Sequence, residues 1–180
     1  ELQGRWEHPL GTDDKGRDML AMLLSGSRVS LLVGLVATGI AIILGTLIGV
    51  TSAYFGGRVD NALLRFTDVV MTFPLFLLLV FIVFIFGSNL AFITIIIGLT
   101  GWTATARLVR SEARSLRTRE FLLAAKVLGA SDARIIARHL IPNVMGTIVV
   151  IATLSIPGAI LAEAALSFIG LGDPQVASWG

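Results

Sequence analysis

The sequence predicts an all-α membrane protein, a polytopic bundle of transmembrane helices. Apolar residues make up 55% of its 180 residues and only 14% are charged, against about 25% in a typical soluble domain. The charges are also unevenly placed, because none occurs in residues 29–55 or 69–101. About 20 apolar residues in a helix cross the hydrocarbon core of a bilayer, so each of these stretches is long enough to do so.

The first predicted span covers residues 29–54. It contains four glycines, Gly34, Gly39, Gly45 and Gly49, and small residues of this kind let neighbouring helices approach closely. The preceding residues, 1–28, are expected to form an outer-side segment with an interfacial helix.

The second and third spans are predicted over residues 69–86 and from 90 to about 106. Pro74 lies near one end of the second span, where neighbouring helices can satisfy the carbonyl that a proline leaves free. Residues 87–89, Gly-Ser-Asn, are typical of a turn. The short connection predicts an antiparallel pair of helices.

The fourth apolar stretch, residues 144–171, is interrupted by Pro157-Gly158. This pair predicts one crossing followed by a short helix along the interface. Glu163 lies beyond the break, and an acid inside a membrane is a functional candidate. The break is expected to place Glu163 at the outer interface, where it pairs or reaches water.

The orientation follows from the basic residues. Residues 107–142 carry eight basic and three acidic side chains, whereas residues 1–28 carry four and five. The basic loop is therefore predicted to be cytoplasmic. Four crossings then place both ends of the chain and the 87–89 turn outside, with residues 56–68 inside.

The cytoplasmic loop has a helical pattern of its own. A first helix is predicted from Glu120 and ends at Gly129, because glycine favours a helix C-terminal cap. Ser131 is a candidate N-cap for a second helix that starts at Asp132 and ends at Ile141, before Pro142. The pattern predicts either a docking knob for a partner or a solvated basic loop that only sets the topology.

Residues 120–143 resemble the EAA loop of ABC importer permeases. Ala124, Ala125, Gly129, Ile141 and Pro142 occur at the spacing of that motif. Two positions depart from it, because Leu123 replaces the motif's Glu and His139 replaces an Ile. Glu120 stands three residues before the usual acid, as is common in the dipeptide, oligopeptide and nickel branch. The implied ATPase-coupling loop comprises Glu120, Ala124, Ala125, Gly129, Ala130, Ser131, Asp132, Ile141 and Pro142.

Further blocks resemble the same branch and extend over almost the whole chain. They are residues 8–18, 28–35, 53–57, 106–110, 160–172 and 178–180. The resemblance implies the fold of a type I ABC importer permease, which has about six spans, of which four are predicted here. Relative to such a permease, this sequence would be a fragment without the first and last spans. Its transmembrane domain would cover 29–172, and 173–180 would be an outer-side loop.

The resemblance also implies the partners. These are a second permease subunit of different sequence, two ATP-binding subunits and an extracytoplasmic substrate-binding protein, all at the bacterial or archaeal inner membrane. The chain would be a multi-pass transport subunit and not an enzyme. It contains no phosphate-binding Gly-x-x-x-x-Gly-Lys-Ser/Thr motif, so ATP and Mg would be bound by the ATPase. No cofactor or nucleic acid is expected. The resemblance implies peptide as the favoured cargo, with nickel chelates as the alternative, and no residue is assigned to bind it.

Other functions are less well supported by the residues. A membrane enzyme would need a nucleophile with a base, or paired acids, and neither pattern occurs. An ion-coupled secondary transporter would usually carry charges in mid-span, which the first three spans lack. His8 and His139 have no second ligand at metal-binding spacing, and without cysteine the chain has no thiolate site. Arg65 and Asp68 are expected to form a surface pair.

Overall fold

The computed structural model describes residues 8–12, 16–173, 176, 178 and 179. Of the expectations above, those for residues 1–7, 13–15, 174, 175, 177 and 180 lie outside the described residues. The described part is helical, with one isolated β-bridge between Thr12 and Asp18. Its elements in chain order are α1 (Met19–Phe55), α2 (Gly57–Thr72), α3 (Leu75–Phe86), α4 (Leu90–Thr100), α5 (Trp102–Arg117), α6 (Glu120–Val127), α7 (Asp132–Ile135), a π-helical turn (Ile136–Leu140) and α8 (Ile141–Phe168).

Three helical segments are long and apolar enough to cross a membrane. They are α1, the combined α4 and α5 (Leu90–Arg117), and the continuous segment from α7 through α8 (Asp132–Phe168). The α2–α3 pair also passes by length and composition, but the two helices are bent by 75° relative to each other. The bundle therefore has four predicted crossings only if this bent pair counts as one.

Helix α1 begins at Met19, ten residues before the predicted start of the first span, and Asp18 is its N-cap. The Asp18 carboxylate accepts hydrogen bonds from the backbone N–H groups of Leu20 and Ala21, at 2.8 and 3.3 Å. The ring of His8 donates to the same carboxylate at 3.1 Å, and this bond lowers the pKa of Asp18. The structure has no separate interfacial helix at Met19–Arg28, since these residues are the first turns of α1.

Three of the four glycines in the predicted first span allow a close helix crossing. A Cβ atom at Gly45 or Gly49 would lie within 2.8 Å of a backbone carbonyl oxygen of α5. One at Gly34 would lie 2.8 Å from the side chain of Ile160 in α8. The expectation for Gly39 was wrong, because no atom lies within 4 Å of its Cβ position. Helix α1 is thus the central helix, with α5 and α8 packed directly on its backbone.

The prediction of one helix over residues 69–86, with Pro74 near one end, is wrong. Helix α2 ends at Thr72 and α3 starts at Leu75 at a bend of 75°. Contact with the proline ring disfavours helical backbone angles at the residue before a proline, and Phe73 is extended, with φ −79° and ψ 129°. Pro74 therefore separates two helices instead of lying near the end of one.

The predicted break at Pro157-Gly158 is also wrong, because α8 runs without interruption from Ile141 to Phe168. Pro157 removes one backbone hydrogen bond. Leaving the helix inside an apolar environment would expose several backbone groups with no water to bind them. The cost of losing one bond is smaller, so the helix continues.

The second loop helix does not end at Ile141, and this correction has a local cause. The chain passes from α7 through a π-helical turn directly into α8, and the N–H of Ile141 donates to the carbonyl of Ile136, five residues back. Pro142 lies in the first turn of α8, where a missing N–H costs little. The side-chain amide of Asn143 donates to the carbonyl of His139 at 2.6 Å.

Two separate apolar clusters hold the bundle together. The loop-side cluster joins α1, α5, α8 and the loop helices, and consists of Val50, Ala53, Val109, Ala113, Leu122, Ile135, Leu140, Val144 and Ile148. The far-side cluster joins α1, α3, α4 and α8, and consists of Ala37, Leu79, Val83, Ile93, Ile97, Ala159 and Leu166. Helix α3 therefore belongs to the half of the bundle away from the loop.

Candidate functional site

The first loop helix, α6, ends in a complete Schellman motif. The N–H of Gly129 donates to the carbonyl of Lys126, and the N–H of Ala130 donates to the carbonyl of Ala125, each at 3.1 Å. Gly129 has φ +81°, a left-handed conformation that favours glycine. Glu120 stands in the first turn and Lys126 in the last, so both charges favour the helix dipole. The predicted helix and its end at Gly129 are confirmed.

Ser131 starts the second loop helix as predicted. Its hydroxyl accepts from the backbone N–H of Arg134 at 3.4 Å, and its carbonyl accepts from the N–H of Ile135 at 2.9 Å. Asp132 occupies the first turn. Only one residue, Ala130, separates Gly129 from this N-cap, so the two loop helices form a tight reversal.

One face of α6 is buried and the other is exposed. Leu122 is buried in the loop-side cluster together with Ile135 from α7. On the opposite side, Val127 and Leu128 are 87% and 86% exposed. We call Leu123, Ala124, Val127 and Leu128, all exposed, the exposed ridge.

The nine residues of the predicted coupling loop fall into two groups. Glu120, Ala124, Gly129, Ser131, Asp132 and Pro142 are exposed. Ala125, Ala130 and Ile141 are half-buried and pack against the loop-side cluster. The structure brings the residues from 120 to 132 together in one knob, whereas Ile141 and Pro142 form the start of α8 at its base.

Sequence reasoning missed one polar contact that attaches this knob to α1, and others that join the membrane helices beside it. The Tyr54 hydroxyl, at the end of α1, donates to the Asp132 carboxylate at 2.6 Å. Nearby, Arg110 of α5 donates through Nε and Nη2 to the two carboxylate oxygens of Asp60 in α2, each at 2.6 Å. The Ser52 hydroxyl of α1 also donates to Asp60. These contacts join residues 50 or more positions apart, except Ser52–Asp60, so no local spacing indicated them.

Asp68 does not form the expected pair with Arg65. Its carboxylate accepts a hydrogen bond from Arg107 in α5, and both side chains are about half exposed. Arg107 and Arg110 are three residues apart and share one face of α5, opposite the two acids of α2. That spacing was the one sequence feature that could have indicated the contact.

Glu163 lies inside the bundle and not at an exposed interface, since the helix break that would have placed it there is absent. It is only 1% exposed. Its Oε1 accepts from the hydroxyls of Ser167 and Ser178, at 2.8 and 2.9 Å. Its Oε2 has no hydrogen-bond partner among the described residues. Glu163 therefore pairs, as one expectation had it, but with serines in a buried setting.

Metal binding is not indicated by these side chains. Within the described ranges, no three histidine, aspartate or glutamate residues lie close enough together to hold one ion. The polar groups near the loop connect helices to one another.

Comparison with known proteins agrees with this architecture. Residues 21–178 match the model of a family described as binding-protein-dependent transport system inner membrane component. The chain is 42% identical to the oligopeptide transport system permease protein OppC of Haemophilus influenzae, over 96% of this chain and 56% of that protein. It is 39% identical to the dipeptide transport system permease protein DppC of Bacillus subtilis, over 97% of this chain and 55% of that protein. The chain thus spans a little over half the length of these relatives.

Proposed function

We propose that this chain is part of the permease subunit of an ATP-driven peptide importer. The basis is that the chain belongs to the family of binding-protein-dependent transport system inner membrane components. Such a subunit is a multi-pass protein of the inner membrane. The observation that carries the proposal is the family match over residues 21–178, which includes the whole loop knob. Peptide is the favoured cargo because the matched relatives are named as oligopeptide and dipeptide permeases. Nickel chelates are the alternative cargo, because the sequence also resembles the nickel members of the same branch.

The exposed ridge supports a docking role for the loop. Val127 and Leu128 are almost fully exposed although both are apolar, and burying apolar surface is favourable by about 25 cal/mol per Å². A partner that covers the ridge would gain this energy without disturbing Leu122 on the buried face. The knob carries no phosphate-binding motif, so in this proposal an ATP-binding subunit provides both the groove for the ridge and the site of hydrolysis.

Transport in this proposal requires further chains. Two permease subunits form the pathway, two ATP-binding subunits bind their loops on the cytoplasmic side, and a substrate-binding protein delivers peptide from the other side. The excess of basic residues in 107–142 supports a cytoplasmic location for the knob, on the side where an ATPase would bind. Closure of the ATPases would displace the knobs and switch the pathway between inward-open and outward-open states.

Site-directed crosslinking tests this proposal. The chain has no cysteine, so Ala124→Cys in the exposed ridge gives a single reactive thiol. Ala91→Cys, at another exposed alanine, in the first turn of α4, is the matched control. We expect Ala124→Cys to crosslink to an ATP-binding subunit in native membranes, with a yield that changes when ATP is added. The control should not capture it. Free labelling of Ala124→Cys by water-soluble reagents, with no ATPase adduct, would contradict the docking role.

A further inference from the structure

The ends of three helices meet beside the loop knob. Helix α1 ends at Phe55, α5 ends at Arg117 and α7 starts at Asp132. The hydrogen bond from the Tyr54 hydroxyl to Asp132 spans this junction at 2.6 Å between residues 78 positions apart. It connects the last turn of the central helix directly to the loop.

The position of Tyr54 is fixed by its surroundings. Its ring packs against the loop-side cluster and meets the ring of Phe55 edge-to-face, with centroids 5.2 Å apart. The next residue, Gly56, has φ +65°, and the Arg117 guanidinium occupies the space where a side chain at position 56 would lie. The chain therefore turns immediately after α1, and the Tyr54 hydroxyl is held towards α7.

The hydrogen bond between Tyr54 and Asp132 gives the contact between α1 and the loop a direction, which the apolar contacts lack. Leu122 and Ile135 of the loop pack against Val50 and Ala53 of α1 in the same cluster, but apolar burial is non-directional and tolerates sliding. A hydrogen bond to a charged carboxylate is directional and is among the stronger polar contacts. It therefore specifies the register between the loop and α1.

We propose that Tyr54 is a positioning residue that transmits displacement of the coupling loop to α1 through Asp132. The inference rests on the proposed function, since it assumes that an ATPase moves the loop. Because Gly45 and Gly49 hold the α1 backbone directly against α5, and Gly34 holds it against α8, a displacement of α1 carries its neighbours with it. The contact thus links the docking knob to the helices of the pathway as one body.

The test uses the intact permease in its assembled transporter, reconstituted in liposomes with its binding protein. Tyr54→Phe removes only the hydroxyl. Thr153→Val is the matched control, because the Thr153 hydroxyl donates only within its own helix, to the Val149 carbonyl. Uptake of radiolabelled tri-L-alanine is measured together with ATP hydrolysis. We expect Tyr54→Phe to retain hydrolysis and to take up at least about threefold less peptide per ATP, while the control matches the unmodified protein. Asp132→Ala should give the same loss, and the double variant no further loss.

A second measurement does not depend on the cargo. Nitroxide labels at Leu47→Cys on α1 and Ala137→Cys in the π-helical turn, both exposed positions, report the distance between α1 and the loop. We expect this distance to be the same without nucleotide and after trapping with ATP and vanadate, and to shift between these states in Tyr54→Phe.

The outcomes separate the two proposals. Equal distances in both states for Tyr54→Phe, or an unchanged ratio of uptake to hydrolysis in an active transporter, would overturn the role of Tyr54 alone. If no ATP-binding subunit assembles with the unmodified permease, the proposed function fails, and this inference fails with it.

Discussion

Arg110 and Asp60 form a bidentate ion pair that fastens α5 to α2. Nε and Nη2 of the arginine each lie 2.6 Å from a carboxylate oxygen, and the two side chains are only 18% and 13% exposed. Ser52 of α1 donates a further hydrogen bond to the same carboxylate. Three helices thus meet at one acid, next to the junction that holds the loop.

Removing one partner of this pair should destabilise the bundle. We expect Arg110→Ala to lower the free energy of unfolding by about 3 kcal/mol, because it leaves a largely buried carboxylate without its counter-charge. Asp68→Asn breaks the half-exposed pair with Arg107, and should cost less than about 1 kcal/mol. Denaturant unfolding in detergent micelles compares the two. Equal losses would show that burial of the Asp60 pair contributes nothing.

Gly49→Ala should weaken the crossing between α1 and α5. Its Cβ would lie 2.6 Å from the Ala106 carbonyl oxygen, and a backbone atom cannot rotate away, so a cost of about 1–3 kcal/mol is expected. Gly39→Ala is the control, with open space at its Cβ and the better helix propensity of alanine. In thermal unfolding, the midpoint temperature of Gly49→Ala should lie below that of the unmodified protein, and the midpoint of Gly39→Ala at or above it.

Gly129→Ala should loosen the end of α6 without any steric clash. No atom lies within 4 Å of its Cβ position, so the cost of about 1–2 kcal/mol comes only from the left-handed backbone. Hydrogen exchange of the amides of Leu128, Gly129 and Ala130 should accelerate. Gly146→Ala, inside α8 and equally open, should leave exchange unchanged. Exchange in Gly129→Ala that is as slow as in the unmodified protein would mean that the Schellman motif does not depend on glycine.

Glu163→Leu should destabilise the bundle more than Glu163→Gln. The carboxylate Oε1 is the shared acceptor for the Ser167 and Ser178 hydroxyls, and a glutamine retains an acceptor oxygen while a leucine does not. Loss of buried hydrogen bonds costs about 1–3 kcal/mol. Unfolding of both variants provides the measurement. A leucine variant as stable as the glutamine variant would show that these bonds carry no net energy.

The sequence predicted those features that depend on neighbouring residues. The helix that begins at Glu120, its end at Gly129 and the N-cap at Ser131 all follow from local backbone preferences. The same local reasoning failed at Pro157 and Pro142. At Pro157 the apolar surroundings make a helix break costly. Pro142 lies in the first turn of α8, where its missing N–H costs little.

Contacts between helices that are far apart in the chain could not be predicted from the sequence pattern. Asp68 was expected to pair with Arg65 on its own helix but contacts Arg107, because α5 presents its arginines to α2. Tyr54 gave no indication of a role, since its partner Asp132 lies 78 residues further along the chain. The bend of 75° between α2 and α3 was also not predicted, because its angle depends on how each helix packs against distant parts of the chain.

The division of α6 into a buried and an exposed face has an evolutionary consequence. Leu122 is held by the membrane helices, whereas Val127 and Leu128 touch almost nothing in this chain. Substitutions in the exposed ridge therefore leave the stability of the permease nearly unchanged. If the ridge binds an ATPase as proposed, a lineage can exchange one ATPase for another by altering these few positions, while Leu122 stays constrained by the fold.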